Sequence, residues 1–401
     1  MRIVPVAAAL AGAAVIAYAL LPGPGPDAPE EGIVHVGAII PLSGDLSSMG
    51  ADILVSTRFA VDEVNGYLGE RGRDWRMALA VEDSTTRPVT ALDKISALKA
   101  RGIDLVLGPL SSAEVRHVKG YADSNGMVIV SCCSNAPSLA VPGDSVFRMN
   151  QDHSHLGPAL ARLLEHDGIR AAVPVWRGDT WGDGLHGHFA GAFDGVVDDG
   201  IRYVPDAPDF AAAASLLAGR VGDLVDEHGA DAVAILFIGF DEATIFFQTS
   251  SDYGVLGDVR WYGTNANAGR SRLLDDPVAS QFAGDVRFTA MQVASGGSPA
   301  YERIRAHALS ELGRTPPAYV YSSYDAAWVM ALAIDEAGTD PAAVREAIPR
   351  AAASYVGALG DIRLNEAGDL TGASYQVISI VDGAWEVVGT HEEGGPVVIT
   401  G

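Results

Sequence analysis

Ile33-Val-His-Val-Gly-Ala-Ile-Ile-Pro-Leu-Ser-Gly44 decides the fold. Its first eight residues are mostly β-branched or small and carry no acidic or basic side chain other than a histidine. That composition suits a strand covered on both faces rather than one with a wet side. Pro41-Leu-Ser-Gly44 then breaks the strand, and Ile53, Phe59, Ala60 and Val64 recur at helical spacing between Gly50 and Asn65. Strand, small polar break and helix form the repeating part of a βαβ series.

The same pattern returns downstream. A strand from Arg76 to Glu82 ends in Asp83 and precedes a helix across Pro88 to Ala100. Another, Ile103 to Leu107, ends at Gly108-Pro-Leu-Ser-Ser112 before a helix from Ala113 to Asn125, and a fourth, Met127 to Val130, ends at Ser131-Cys-Cys-Ser-Asn135. Four such units in a row imply a right-handed parallel sheet covered by helices.

A second series follows Phe147-Arg-Met-Asn150: helix Gly157 to His166, strand Ala171 to Trp176, helix Gly184 to Val196 and strand Ile201 to Val204. Helix Ala211 to His228, strand Ala232 to Ile238, helix Glu242 to Tyr253 and strand Arg260 to Gly263 continue it. Beyond lie a strand at Val286 to Met291, helices at Ser298 to Leu312 and Ser322 to Ala337, and two strands, Ser374 to Val381 and Ala384 to Thr390. Asp382-Gly383 between that last pair is the signature of a type I′ hairpin. The expected fold class is therefore α/β, with two doubly wound, mainly parallel lobes joined by a multi-strand hinge. Residues 33–150 plus 285–352 are assigned to the first lobe, 151–284 plus 353–395 to the second, and 396–401 to a tail, with crossings near Asn150, Gly284 and Ala352.

Composition narrows the function. The 401 residues carry 51 acidic against 27 basic side chains, a formal net charge of -24, and such a field repels nucleic-acid phosphate and anionic headgroups. No nucleic-acid partner is expected. Met1-Arg2, the uncharged run from Ile3 to Leu21 and the small residues of Ala17-Tyr-Ala19 read as a signal peptide or an uncleaved anchor. Residues 22–32, rich in proline and glycine, read as a tether. The expected location is extracytoplasmic, in the periplasm or on the outer cell surface, with membrane contact only through the N-terminal segment.

Cys132 and Cys133 are adjacent, so they lack the separation of an ordinary cross-link, a zinc site or a Cys-x-x-Cys pair. They are expected as two small, half-buried residues at a strand end. His153 with His155 and His186 with His188 form two His-x-His pairs, but i and i+2 residues of a helix do not share a face. Surface or capping histidines are expected, with no metal. Walker loops, Gly-x-Ser-x-Gly elbows, His-Glu-x-x-His and strand-following Gly-x-Gly-x-x-Gly motifs are absent. No enzyme and no cofactor is therefore expected.

In open α/β sheets ligands sit beyond the carboxyl ends of the strands, where helix N-termini offer free N–H groups. In the first lobe those segments hold Ser111, Ser112, Ser134 and Asn135, small donors suited to a carboxylate, although each is equally suited to capping a helix. In the second they hold Trp176, Trp181, Phe240, Asp241 and Glu242, an aromatic and acidic set suited to an ammonium or an apolar side chain. Trp181, flanked by Asp179, Gly182 and Asp183, is expected in a loop.

These segments bring a family into view. Val36-Gly-Ala-Ile-Ile-Pro-Leu-Ser-Gly44 with Gly50, Asp83, Gly108 to Ser112, Ser131 to Pro137, Trp181-Gly-Asp-Gly184, Tyr324-Asp-Ala-Ala327, and Gly368-Asp369 with Tyr375-Gln-Val-Ile and Asp382-Gly-Ala-Trp385 occur in order. Together they resemble the type I periplasmic-binding-protein family, specifically the branched-chain amino-acid binding proteins of ABC transporters. The resemblance implies ligand contacts from Ser112, from Cys133 through its backbone, and from Asn135. Met49 stands where well-known members carry an aromatic residue, Trp181 where they carry a tyrosine, and Phe240 close to another pocket aromatic. Asn265 falls where a glutamate pairs with the ligand's ammonium. That departure leaves Asp241, Glu242 or Asp325 to replace the charge, or an amide or urea-like ligand. The implied function is capture of a small polar solute, such as an amino acid or amide, for an ABC-transporter permease. A sensory ectodomain acting with a membrane partner is the alternative.

Overall fold

The computed structural model describes residues 32–400 apart from 206, 208, 295, 296, 373 and 393. The expected signal peptide or anchor and nearly all of the tether lie outside the described residues. Among the described residues no helix is long and apolar enough to cross a membrane.

The first lobe is built on β1 (Ile33–Ile40), β2 (Arg76–Asp83), β3 (Leu105–Leu107), β4 (Val128–Ser131) and β5 (Val146–Arg148). They pair wholly in parallel in the order β2-β1-β3-β4-β5. Side chains alternate between its faces. Ile39, Val106 and Ile129 pack with Ile95, Leu98, Val115 and Val118 of the helices Pro88–Ala100 and Ser112–Asn125. Val36, Leu105, Leu107, Val128 and Val130 pack on the other side, with residues of the helices Ser47–Glu70, Tyr319–Ala337 and Pro341–Ala353. With both faces covered, the strands can be apolar throughout.

The second lobe contains β6 (Ala171–Arg177), β7 (Val196–Val197), β8 (Ile201–Tyr203), β9 (Val233–Ile238), β10 (Arg260–Gly263) and β11 (Thr289–Val293). After a short antiparallel pair in the first lobe, β12 (Val356–Gly357) and β13 (Gly360–Asp361), the chain adds β14 (Ser374–Val381), β15 (Ala384–Glu392) and β16 (Val397–Ile399). The sheet runs β16-β15-β14-β11-β10-β9-β6-β7, with β8 on β6, and it turns antiparallel from β14 onward. Asp382 and Gly383 both have positive φ, 49° and 77°, as the type I′ hairpin requires.

The crossings differ from the sequence assignment. Thr289–Val293 pairs with β10, so 285–293 belongs to the second sheet, and the return to the first lobe falls between 293 and 299. Residues 356–371 stay with the first lobe. Arg148, fully buried, holds Asp369 at 2.5 Å through both Nε and Nη2, and its N–H donates to the Gly368 carbonyl. The last crossing therefore falls after residue 371 rather than at Ala352. Val397–Ile399, expected as tail, is a paired strand. These boundaries depend on long-range pairing, which periodicity does not report.

Two glycines set how closely the loops approach the first sheet. A Cβ on Gly50 would lie 1.8 Å from the Pro41 carbonyl oxygen, and one on Gly108, where φ is +85°, would lie 2.2 Å from that of Ile39. Both place a strand-end loop on the cleft.

Candidate functional site

The first-lobe wall is stitched by its own hydroxyls. Ser111 caps the Ser112–Asn125 helix in a capping box: its Oγ accepts from the Glu114 N–H at 3.2 Å, and its N–H and hydroxyl donate to Glu114 Oε2. Burial pushes that glutamate's carboxyl up from the usual range. Ser112 Oγ accepts from the N–H groups of Asn135 at 3.2 Å and Ala136 at 3.1 Å and shares a further bond with Ser134 Oγ. The hydroxyls thus tie the strand-end loop after β3 to the one after β4. Asn135 Nδ2 donates to Tyr319 Oη at 3.4 Å, and its Oδ1 is buried with no partner.

Cys132 and Cys133 are bonded to each other. This corrects the expectation of two independent, half-buried cysteines. Adjacency excludes an ordinary cross-link but allows a small ring closed through the intervening peptide, and the turn after β4 accommodates it. Both residues are buried, at 4% and 6% exposure.

The second-lobe wall is aromatic. Trp181 lies not in a loop but in the first turn of the Thr180–Ala190 helix, where Asp179 Oδ1 accepts from the N–H groups of Trp181 and Gly182. Its ring centre is 4.7 Å from that of Phe240, which packs under the Arg177 guanidinium at 4.6 Å. His153, expected at the surface or as a cap, is fully buried 5.8 Å from Trp181. Burial lowers its imidazole to about 3, so the ring is neutral at ordinary pH. It sits beside Asn265, within hydrogen-bonding reach of that side chain. His186 stacks on Trp176 at 3.9 Å. No group of three or more metal-ligating side chains occurs among the described residues.

Between the walls lies a small cavity of ≈ 20 Å³ lined by Leu46, Met49, Leu110, Ser111, Ser112, Cys133, Trp181, Phe240, Ala266 and Tyr319. Of the residues expected at the site, Met49, Ser111, Ser112, Cys133, Trp181 and Phe240 meet there, with Ser134, Asn135 and Asn265 behind them. Asp241 is directed across the cleft: Ser48 Oγ donates to its Oδ2 at 2.7 Å, and its N–H donates to the Asp45 carbonyl. Arg177 also spans the lobes, binding Asp45 at 2.9 Å together with Glu242 at 2.8 Å. Arg116 reaches Thr180 Oγ1 at 3.1 Å. The lobes are shut.

Two of the alternatives for a pocket charge are corrected. Asp325 is buried in the first lobe, where it accepts from the Ala358 and Leu359 N–H groups and from Tyr355, and burial raises its carboxyl to about 7. Glu242 is engaged by Arg177 and the Tyr203 hydroxyl. Leu46, Leu110 and Ala266 fall within the strand-end segments 41–49, 108–112 and 263–267 without having been singled out, whereas sequence reasoning missed Tyr319 and, beside the cavity, Arg270. Pro316-Pro317 ahead of Tyr319 is a helix-start signal that points to the last but one of these. A lone arginine in Asn265-Ala-Asn-Ala-Gly-Arg270 gives no such signal.

Comparison with known proteins agrees with this architecture. The model of the family described as "Receptor family ligand binding region" matches residues 53–383. An uncharacterized protein of Methanocaldococcus jannaschii is 27% identical over 386 residues, 90% of this chain and 90% of its own. A Leu/Ile/Val-binding protein of Rhizobium johnstonii is 24% identical over 356 residues, 86% of this chain and 90% of its own. Among solved structures, a leucine-binding protein of Thermotoga maritima superposes with a TM-score of 0.75 at 19% identity, covering 90% of this chain and 99% of that one. The shared fold is that of the type I periplasmic binding proteins.

Proposed function

The chain belongs to the receptor-family ligand-binding-region family, and on that premise we propose that it is an extracytoplasmic solute-binding protein that closes its two lobes around a small, amino-acid-like ligand for delivery to an ABC importer. The observation that carries this reading is the cavity itself. It is walled by both lobes and closed by side chains that bond across the cleft. In the shut form its volume, ≈ 20 Å³, is smaller than any solute, so an occupant requires the walls to part and close again around it. The aromatic pair Trp181 and Phe240 supplies a flat apolar face, and the first turn of the Ser112–Asn125 helix brings backbone N–H groups to the opposite wall. The kinship with a Leu/Ile/Val-binding protein supports the same solute class.

The test is ligand-dependent closure. Small-angle scattering of the protein, stripped of solute by mild unfolding and refolding, is measured against a panel of amino acids, amides and organic acids. At least one compound is expected to reduce the radius of gyration and raise the melting temperature. A panel in which none does either overturns the reading.

A further inference from the structure

Three arginines are buried among the described residues: Arg148, Arg177 and Arg270. Arg148 is held by Asp369, and Arg177 by Asp45, Asp179 and Glu242. Arg270, 4% exposed, is paired with no carboxylate. Its Nε donates to the Ala266 carbonyl at 2.7 Å, while Nη1 and Nη2 are buried without a partner. Ala266 lines the cavity, and so does Tyr319, whose phenol feels the arginine's charge. The guanidinium therefore lies behind Ala266, one residue back from the cavity, which it does not itself line.

An unpaired buried guanidinium is costly, because it loses hydration and gains no counter-charge. Asp52 feels its charge, but no neighbouring carboxylate hydrogen-bonds to it. Asp52 is held through both oxygens by Arg314, Asp241 by Ser48, and Glu242 by Arg177. None of the residues lining the cavity is charged. Asp241 Oδ1 also lacks a partner, but it can only accept, whereas the two free nitrogens of Arg270 donate and form the fork that matches a carboxylate.

We propose that Arg270 takes a carboxylate of the bound solute through Nη1 and Nη2, and that the solute is a small organic acid with an apolar body and no required ammonium group. This rests on the solute-binding reading above and names the chemistry of that site.

Isothermal titration with two matched series tests the assignment: 4-methylpentanoate, leucine, leucinamide and 3-methylbutylamine, and phenylacetate, phenylalanine, phenylalaninamide and phenethylamine. Acids of at least one series are expected to bind, the amide and amine of that series to bind at least tenfold more weakly, and Arg270→Gln to lose about tenfold to hundredfold for the acid. Arg270→Lys keeps the charge without the fork and is expected to fall between the two. It also stands in if Arg270→Gln fails to fold, and wild-type affinity for the acid in Arg270→Lys then overturns the proposal. An amide or amine that binds as tightly as its acid, or a folded Arg270→Gln protein that retains wild-type affinity, overturns the role of Arg270 and leaves the solute-binding reading standing. Absence of any binding by the wild-type protein overturns both.

Discussion

Ser48 of the first lobe donates a 2.7 Å hydrogen bond to Asp241 of the second, 193 residues away in sequence. The bond exists only when the lobes are shut, so it belongs to the closed state alone. A hydrogen bond to a charged acceptor contributes about 1.5–3 kcal/mol. Ser48→Ala is therefore expected to speed release of a bound solute by roughly tenfold or more, with capture little changed. Stopped-flow fluorescence measures both rates, and an unchanged release rate would remove Ser48 from the latch.

Trp181 contributes on the far wall, against Phe240 and His153. Because it is buried rather than in an open loop, Trp181→Ala has two effects. It should loosen the solute, and it should lower stability, since truncating a buried tryptophan costs about 3–5 kcal/mol in a fully packed core. Trp181→Phe should keep most of both. Calorimetry and thermal melts of the two variants separate them; an alanine variant with wild-type affinity would place the wall elsewhere.

His153 gives a pH signature. Its folded value, about 3, lies below the unfolded value near 6.5. The stability it contributes is therefore fully present above about pH 6.5 and is lost as pH falls toward 3, because only the unfolded chain takes up the proton. Relative to His153→Gln, the wild-type protein should lose about 2 kcal/mol between pH 7 and pH 5. Urea unfolding at the two pH values gives the difference, and parallel losses in both proteins would contradict it.

Arg148 and Asp369 join β5 to the segment that precedes the last crossing, and both are almost fully buried. Asp369→Asn leaves a buried guanidinium without its counter-charge and is expected to destabilise the first lobe by about 3–5 kcal/mol. Replacing both residues with apolar ones of similar size should recover much of that loss. A single substitution costing less than 1 kcal/mol would show that the pair is not what fixes this segment.

Much of the molecule was determined by local sequence. Alternating β-branched runs and helical spacing set the βαβ series, because both faces of a parallel strand must be apolar and each helix must show one apolar stripe. Asp382-Gly383 set its hairpin, since only residues tolerant of positive φ fit a type I′ turn. That Met49, Trp181, Phe240 and the serines Ser111 and Ser112 meet at the cleft was legible because strand ends of open α/β sheets converge there. The roles within that site were not. Whether the Ser112 hydroxyl faces a solute or ties two loops together depends on where the Asn135 and Ala136 N–H groups arrive, and that is a tertiary fact. The same holds for which sheet receives Thr289–Val293, for the ring formed by Cys132 and Cys133, and for Arg270, an unremarkable residue in the chain. Burial and two unpartnered nitrogens give Arg270 its meaning, and both are set by what the folded chain packs around it.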